Sequence, residues 1–333
     1  MPDKPVTGYY PTPARGGSAR KILLKYRHNA YIEEIYKNYF KPMNLSLHLH
    51  PRNPMAVQTV REMLVIAGEL GIHIHLSKRV LSAFQDDADR KSVTVHETDR
   101  ATMEAGDAVA AVGGDGTMLS AAGLARPIQR PLLGINSGKL GFLANIQRQD
   151  LSVALHDVAS GNYELDTRNF IEAEFSNGEI HYALNEFVFS RHGSVSMITL
   201  SAEYDGEFIN RYWADGVIVS SPTGSTAYNL STGGPIVVPQ TDVMVLTPIS
   251  PHTLTTRPLV LPCEKDLTIR VDPADQKVLF SGDGNNHDLP AVSPEVKIRK
   301  SASIMQLIKL SGQSYFETLR NKLMWGADMR DER

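Results

Sequence analysis

A single carboxylate set among glycines is the group in this chain best placed to do chemistry. The apolar run Ala108-Val109-Ala110-Ala111 leads directly into Val112-Gly113-Gly114-Asp115-Gly116-Thr117. A strand that ends in a glycine turn aims backbone N–H groups at one point, and residues without a Cβ let a phosphate lie close against that backbone. Asp115 beside a polyphosphate would repel it unless the carboxylate accepts a proton or holds a metal. The segment Gly113, Gly114, Asp115, Gly116, Thr117 therefore points to phosphoryl transfer rather than to nucleotide binding alone. Its plainer reading is a tight βα turn with an acidic residue at the helix start. The pattern is neither the Walker motif nor the G-x-G-x-x-G fingerprint. Gly134-Ile135-Asn136-Ser137-Gly138-Lys139 falls one spacer short of a P-loop and lacks the hydroxyl residue after the lysine.

Two later segments carry binding chemistry. Asn185-Glu186 interrupts the apolar run Tyr182 to Phe189, and adjacent strand residues face opposite sides. The amide can read a base or ribose edge, and the carboxylate can bind a ribose hydroxyl or a metal's water. Equally, the pair can be one exposed residue and one member of a buried polar network. Asp215 precedes a β-branched run that opens into Ser220-Ser221-Pro222-Thr223-Gly224-Ser225-Thr226-Ala227-Tyr228. Small residues allow a planar ring to rest on backbone, hydroxyls supply donors and acceptors, and Tyr228 can stack. That density favours a binding loop over a hydroxyl-capped helix start. His48 and His50, like His73 and His75, alternate along strands and are expected on a satisfied or solvated face. One cysteine, Cys263, and no His-Glu-x-x-His leave no structural zinc pattern. Asp283 to Asp288 misses the EF-hand spacing and reads as a hairpin turn.

The elements that must position these groups follow two grammars. Leu45 to Leu49, Ile72 to Leu76, Asp107 to Val112 and Pro131 to Ile135 read as strands. Between them lie helices, one capped by Asn53 with Pro54 at its first position and stopped by Gly71, another over Thr117 to Ala125. Such alternation implies a mostly parallel sheet covered by helices, with ligands at the carboxyl ends of the strands. After about Asp166 hairpin signals take over: Asn177-Gly178 between Phe170–Phe175 and Ile180–Phe189, and Asp205-Gly206 between Ile198–Tyr204 and Phe208–Trp213. The expected architecture is an α/β domain over residues 43–165 followed by a β-rich, sandwich-like domain over 166–306. A C-terminal helix with Phe316, Leu319, Leu323 and Trp325 on one face returns within 307–333 to the first domain. Residues 1–42 form an extension in which Ala30 to Phe40 has the makings of a short aromatic helix.

Composition sets the outer limits. The chain has 333 residues, 42% hydrophobic, with 34 Lys and Arg against 37 Asp and Glu. The interspersed charge gives no nucleic-acid or anionic-membrane footprint. The lone cysteine fits a reducing compartment, and no apolar stretch nears the ~20 residues of a membrane span. A cytoplasmic protein is expected.

Taken together, Gly113 to Thr117, Gly134-Ile135-Asn136 with Leu140-Gly141-Phe142-Leu143, Asn185-Glu186, Asp215 through Tyr228, Gly233-Gly234-Pro235, Pro251-His252-Thr253-Leu254 and Arg257-Pro258-Leu259 resemble the NAD kinase family. The glycine-Asp pentapeptide alone is shared with diacylglycerol-type lipid kinases; the later motifs are more specific. Tyr315 to Trp325 is similar to the closing segment of bacterial members. The resemblance implies transfer of the ATP γ-phosphoryl group to the 2′-hydroxyl of the adenosine ribose of NAD, in a cleft between the two domains. It implies Mg2+ bound mainly through the ATP phosphates, with no protein metal ligands assigned, and a homo-oligomer, dimer or tetramer. Asp115 is then the proton acceptor, and Gly113, Gly114, Gly116 and Thr117 lie at the phosphates. Phe142 forms an apolar wall, and Asn185 and Glu186 grip the adenosine of the acceptor. Thr226, Ala227 and Tyr228 line the ring pocket, Asp215 reaches the far end of the dinucleotide, and Asn285 adds a polar contact. Lys139 is in the right loop to reach a phosphate. Trp213 stands where many bacterial members carry a basic residue, which leaves the preference between NAD and NADH open. A lipid kinase and a purely regulatory dinucleotide-binding module are the competing readings. The first calls for a greasier acceptor pocket, and the second has no need of Asp115.

Overall fold

The computed structural model describes residues 43–84, 93–138, 140–193, 196–272, 278–289 and 294–325. The expected helix within Ala30 to Phe40, Lys139 and the last eight residues lie outside that set. The first half runs β1 (Asn44–Leu49), α1 (Pro54–Leu70), β2 (His73–Ser77), α2 (Lys78–Leu81), β3 (Val93–His96), α3 (Asp99–Ala105), β4 (Ala108–Gly113), α4 (Asp115–Ala125), β5 (Leu132–Asn136), β6 (Ile146–Gln147) and α5 (Leu151–Ser160). The α1 ends show why the chain folds this way. The Asn53 side chain accepts the Met55 and Ala56 N–H groups, Pro54 occupies the first turn, and Gly71 closes the helix at φ 67°. Every strand pair from β1 to β6 is parallel. Helices cover both faces: α1 and α5 pack Val60, Met63, Leu151 and Leu155 on one, and α4 packs Met118, Ala121 and Ala122 on the other.

The second half continues with β7 (Tyr163–Phe175), β8 (Ile180–Ala183), β9 (Glu186–Arg191), β10 (Ile198–Tyr204), β11 (Glu207–Ala214), β12 (Gly216–Ser220), a 3-10 turn at Thr223–Thr226, α6 (Tyr228–Ser231), β13 (Val243–Ile249), β14 (Leu259–Pro262), β15 (Leu267–Val271), β16 (Val278–Gly282), β17 (Asn285–His287), β18 (Glu295–Leu310) and α7 (Tyr315–Leu323). A six-stranded sheet, β14-β13-β12-β9-β16-β17, packs on the β-rich part of a larger sheet ordered β11-β10-β15-β18-β5-β4-β1-β2-β3. Phe187, Phe189, Phe280 and Phe175 fill the space between them.

Two long strands bind the halves into one body. β18 pairs with β15 through Glu295 to Ile298 and reaches β5 at Leu307, with β7 antiparallel to it along both stretches. A bulge between Lys300 and Ile304 lets the ribbon change direction where the halves meet. The boundaries read from the sequence, 165/166 and 306/307, thus fall inside β7 and β18. A third apolar cluster spans the junction, uniting Met118, Leu143, Phe170, Leu184 and Leu307.

The run Ile180 to Phe189, expected as one hairpin arm, is two strands. β8 stays with β7 in the large sheet, while β9 enters the small one. The chain changes sheets at Leu184-Asn185, because both faces of the run are apolar and each sheet claims part of it. Because shared strands and a shared core couple the halves, calorimetry should show a single cooperative unfolding transition. Two resolved transitions would mean that the halves unfold independently.

Candidate active site

Asp115 is the first residue of α4, directly after Gly114. Its carboxylate sits at the positive end of the helix dipole, where an anion is stabilised. It reaches across to the loop that follows β5 and takes three consecutive backbone N–H groups. Oδ2 accepts from Phe142 at 2.9 Å, and Oδ1 accepts from Leu143 and Ala144, each at 3.0 Å. Gly141 is required for this approach, since a Cβ there would collide with the carboxylate. Asn136 steadies the same loop, donating to the Ala144 carbonyl at 3.2 Å and accepting the Gly138 N–H at 2.6 Å. Gly113 is committed to the fold, for a Cβ there would meet Thr117, whereas Gly114 and Gly116 face open space at the helix start. That is the space a phosphate would take.

Lys322 of α7 completes this end, with Nζ 3.7 Å from Asp115 Oδ2 and 4.8 Å from the Phe142 ring centroid. The expected apolar face of α7 is only partly covered: Leu319 is 3% exposed, but Phe316 and Trp325 are 55% and 54% exposed. The helix docks instead by its Tyr315, Thr318, Leu319 and Lys322 side. A cavity of about 430 Å3 lies on the seam between α7, the loop at Phe142, β7 and β18, bordered by Arg168, Gln240 and Tyr315.

A second carboxylate repeats the device at the other end of the junction. Asp283 Oδ2 accepts the Leu184 N–H at 2.7 Å, and Oδ1 accepts those of Asn185 and Glu186 at 2.8 and 3.3 Å. The Asp283 N–H in turn donates to the Glu186 carbonyl. Asp283 and Gly284, at φ 48° and 78°, form the tight turn of the β16–β17 hairpin, and Asn285 is the exposed residue next to it. In sequence Asp283 carries only a turn signal; its side chain fixes where the chain crosses between sheets.

Asn185 and Glu186 are both buried, so the pair is not split between core and solvent. Glu186 Oε2 has no hydrogen-bond partner. Burial, with the neighbouring Asp283 charge adding to it, pushes the Glu186 carboxyl up to about 8; a Tyr228 backbone N–H opposes the shift. The loop from Ser220 lies against this pair: Ser221 N–H donates to the Asn185 carbonyl at 2.8 Å, and Gly224 has no room for a Cβ beside it.

The serine hydroxyls of that loop turn inward. Ser220, Ser221 and Ser225 are buried and bond to backbone carbonyls, and Asn229 ties the loop to Pro235 and Thr247. They are consumed in satisfying a tight turn. Thr226, Ala227 and the 44% exposed Tyr228 are what the loop presents outward.

Asp215 stands apart from these residues. It precedes β12, whose far end, Ser220, pairs with Glu186, so about 16 Å of strand separates them. Asp215 is held by Arg191 at 2.8 Å, and the nearby Trp213 ring packs at a tilt against His252 with centroids 4.3 Å apart. The alternating histidines are satisfied as expected: His48 meets Ser120, and His75 meets His96 and Asn44.

The site thus joins a helix-initiating carboxylate to open glycine backbone in a frame of one α/β half and one β-rich half. Residues 45–163 match the ATP-NAD kinase N-terminal domain and residues 184–310 the ATP-NAD kinase C-terminal domain. The chain belongs to the ATP-NAD kinase family and is an ATP-dependent phosphotransferase of that family. It is 39% identical over 237 residues to the NAD kinase of Cytophaga hutchinsonii, covering 70% of this chain and 81% of that one. Against the NAD kinase of Porphyromonas gingivalis it is 34% identical over 273 residues, covering 82% and 94%. Two solved structures share the fold. Yeast NADH kinase complexed with NADH has a TM-score of 0.78 and 24% identity, covering 87% of this chain and 89% of that one. An NAD kinase from Archaeoglobus fulgidus in complex with ATP has a TM-score of 0.66 and 24% identity, covering 85% and 99%.

Two outcomes follow from the Asp283 clamp and the carboxyl beside it. Asparagine tolerates the positive φ at 283, so Asp283→Asn isolates the loss of acceptor capacity, and urea denaturation should show a loss of about 1–3 kcal/mol. The Glu186 carboxyl holds its proton in the folded chain well above the pH at which the unfolded chain releases it. Stability should therefore decline as pH rises from about 4.5 to 8. Glu186→Gln should remove that part of the decline in melting curves across the same range.

Proposed function

We propose that the chain transfers the γ-phosphoryl group of ATP to the 2′-hydroxyl of the adenosine ribose of NAD, giving NADP, with Asp115 as the proton acceptor. The observation that carries this reading is the free capacity of one oxygen. Oδ1 of Asp115 is filled by two N–H donors, whereas Oδ2 holds one and keeps an acceptor position. A hydroxyl directed at Oδ2 surrenders its proton there as its oxygen bonds to the γ-phosphorus and the bond to the departing ADP oxygen breaks. Phosphoryl transfer asks the protein for in-line positioning and charge neutralisation more than for covalent help.

Gly114 and Gly116 give the phosphates access to backbone N–H groups at the α4 start, and Phe142 walls the site. Glu186 and Asn185 receive the acceptor's adenosine portion beside Thr226, Ala227, Tyr228 and Asn285. Asp215, the length of β12 away, takes the far end, a span suited to two nucleosides joined through a pyrophosphate. Mg2+ belongs to this reading as an ion carried by the ATP phosphates. Among the described residues no group of three or more His, Cys, Asp or Glu could hold a metal ion, and this reading assigns it no protein ligand. The ion supplies neutralisation of phosphate charge.

A homo-oligomer in the cytoplasm is part of the same proposal. Phe208, Trp213, Leu254, Leu259 and Val260 form exposed apolar surface on the β-rich half, and no described helix is long and apolar enough to cross a membrane. Purified protein with Mg·ATP and NAD should generate product detected by an NADP-specific dehydrogenase. Asp115→Asn should lower the rate by about 10²–10⁴-fold. Near-native turnover in that variant would remove Asp115 from the role.

A further inference from the structure

The ATP phosphates bring several negative charges to a site whose reacting side chain is itself the carboxylate Asp115. The sequence shows no basic cluster near the glycine loop to oppose them. The fold supplies a cation from the other end of the chain. Lys322 lies on the docked side of α7, one turn beyond Leu319, which anchors the helix, and beside the Phe142 loop.

The placement of its ammonium group is informative. At 3.7 Å from Asp115 Oδ2 it is well outside the ~2.7–2.9 Å of a charge-assisted hydrogen bond, and at 4.8 Å from the Phe142 ring it is within cation–π range. The side chain is 32% exposed. Nζ is therefore suspended between a ring and a carboxylate, with donors left over and an opening to the site. A lysine serving only to fasten the helix would close the pair to hydrogen-bond length.

We infer that Lys322 is a catalytic residue of the phosphoryl transfer: it donates to a γ-phosphoryl oxygen and neutralises the charge there while Asp115 takes the proton. The inference rests on the reading of Asp115 as proton acceptor. The step balances without a proton from the lysine. The 2′-oxygen bonds to the γ-phosphorus, the bridging P–O bond breaks toward ADP, the proton passes to Asp115, and Lys322 stays an ammonium ion throughout. Because Lys322 Nζ lies 3.7 Å from Asp115 Oδ2, the oxygen that takes the proton, an acceptor hydroxyl on Asp115 brings the reacting phosphorus within the lysine's reach.

The test compares wild type with Lys322→Ala and Lys322→Arg in the coupled NADP assay, with thermal melting and isothermal titration of NAD alongside. The expected result for Lys322→Ala is a fall in kcat of about 10²–10³-fold, with NAD affinity and melting midpoint close to wild type. Lys322→Arg should restore most of the loss, and added methylammonium should partly rescue Lys322→Ala. Undiminished kcat in Lys322→Ala, while wild type makes NADP, would overturn the inference alone. So would a loss matched by weaker NAD binding and a lower melting midpoint and unrelieved by arginine or methylammonium, which would assign the lysine to helix docking. Wild type that makes no NADP would overturn the underlying reading and the inference with it.

Discussion

The capture of three consecutive backbone N–H groups by one carboxylate is the constraint on which the site depends. Loop residues Phe142 to Ala144 leave the sheet with donors that no strand can pair, and unpaired donors in a partly buried loop are costly. Asp115 satisfies all three at once and thereby sets the distance between the α4 start and the loop. The same contact decides which of its oxygens is left for chemistry. It also explains Gly141, whose missing side chain is the room the carboxylate occupies.

Asp283 performs the equivalent task for Leu184 to Glu186, and the two clamps face one junction through Leu143 and Leu184, which share an apolar cluster. One clamp fixes the loop at Phe142 and the other the crossing at Asn185, while β7 and β18 run between the halves. The environment that holds Glu186 buried, with one oxygen unpartnered, follows from this arrangement. Glu186 opens β9 at the sheet crossing and is buried there, away from open water. Desolvation then outweighs the Tyr228 N–H, and the carboxyl keeps its proton near neutral pH.

Much of the α/β half was legible because its signals are local. Asn53-Pro54 and Gly71 bracket α1, and an apolar strand followed by glycines and Asp115 gives β4, turn and α4. The hairpins at Asn177-Gly178 and Asp205-Gly206 were equally plain, since those pairs favour positive φ. The run Ile180 to Phe189 misled because its periodicity reports burial but not which sheet buries it. In the hydroxyl-rich loop, which hydroxyls serve the turn was not legible, because a donor that serves a ligand and one that serves a turn look alike in sequence. In β18, sixteen residues long, a bulge and several Lys, Arg and Ser residues break the alternation that would have marked one continuous strand.

By itself the sequence determined the local geometry of the site: a carboxylate at a helix start, glycines open to a phosphate, an Asn-Glu pair and an outward Tyr228. Each depends on residues within one turn or one strand, where backbone sterics and hydrogen bonding are set by near neighbours. Tertiary structure alone decided which oxygen of Asp115 is free, that Asp283 positions Asn185 and Glu186, and that Lys322 arrives beside Asp115. Those contacts join residues far apart along the chain, and only the packing of α7 and the shared strands brings them within a few ångströms.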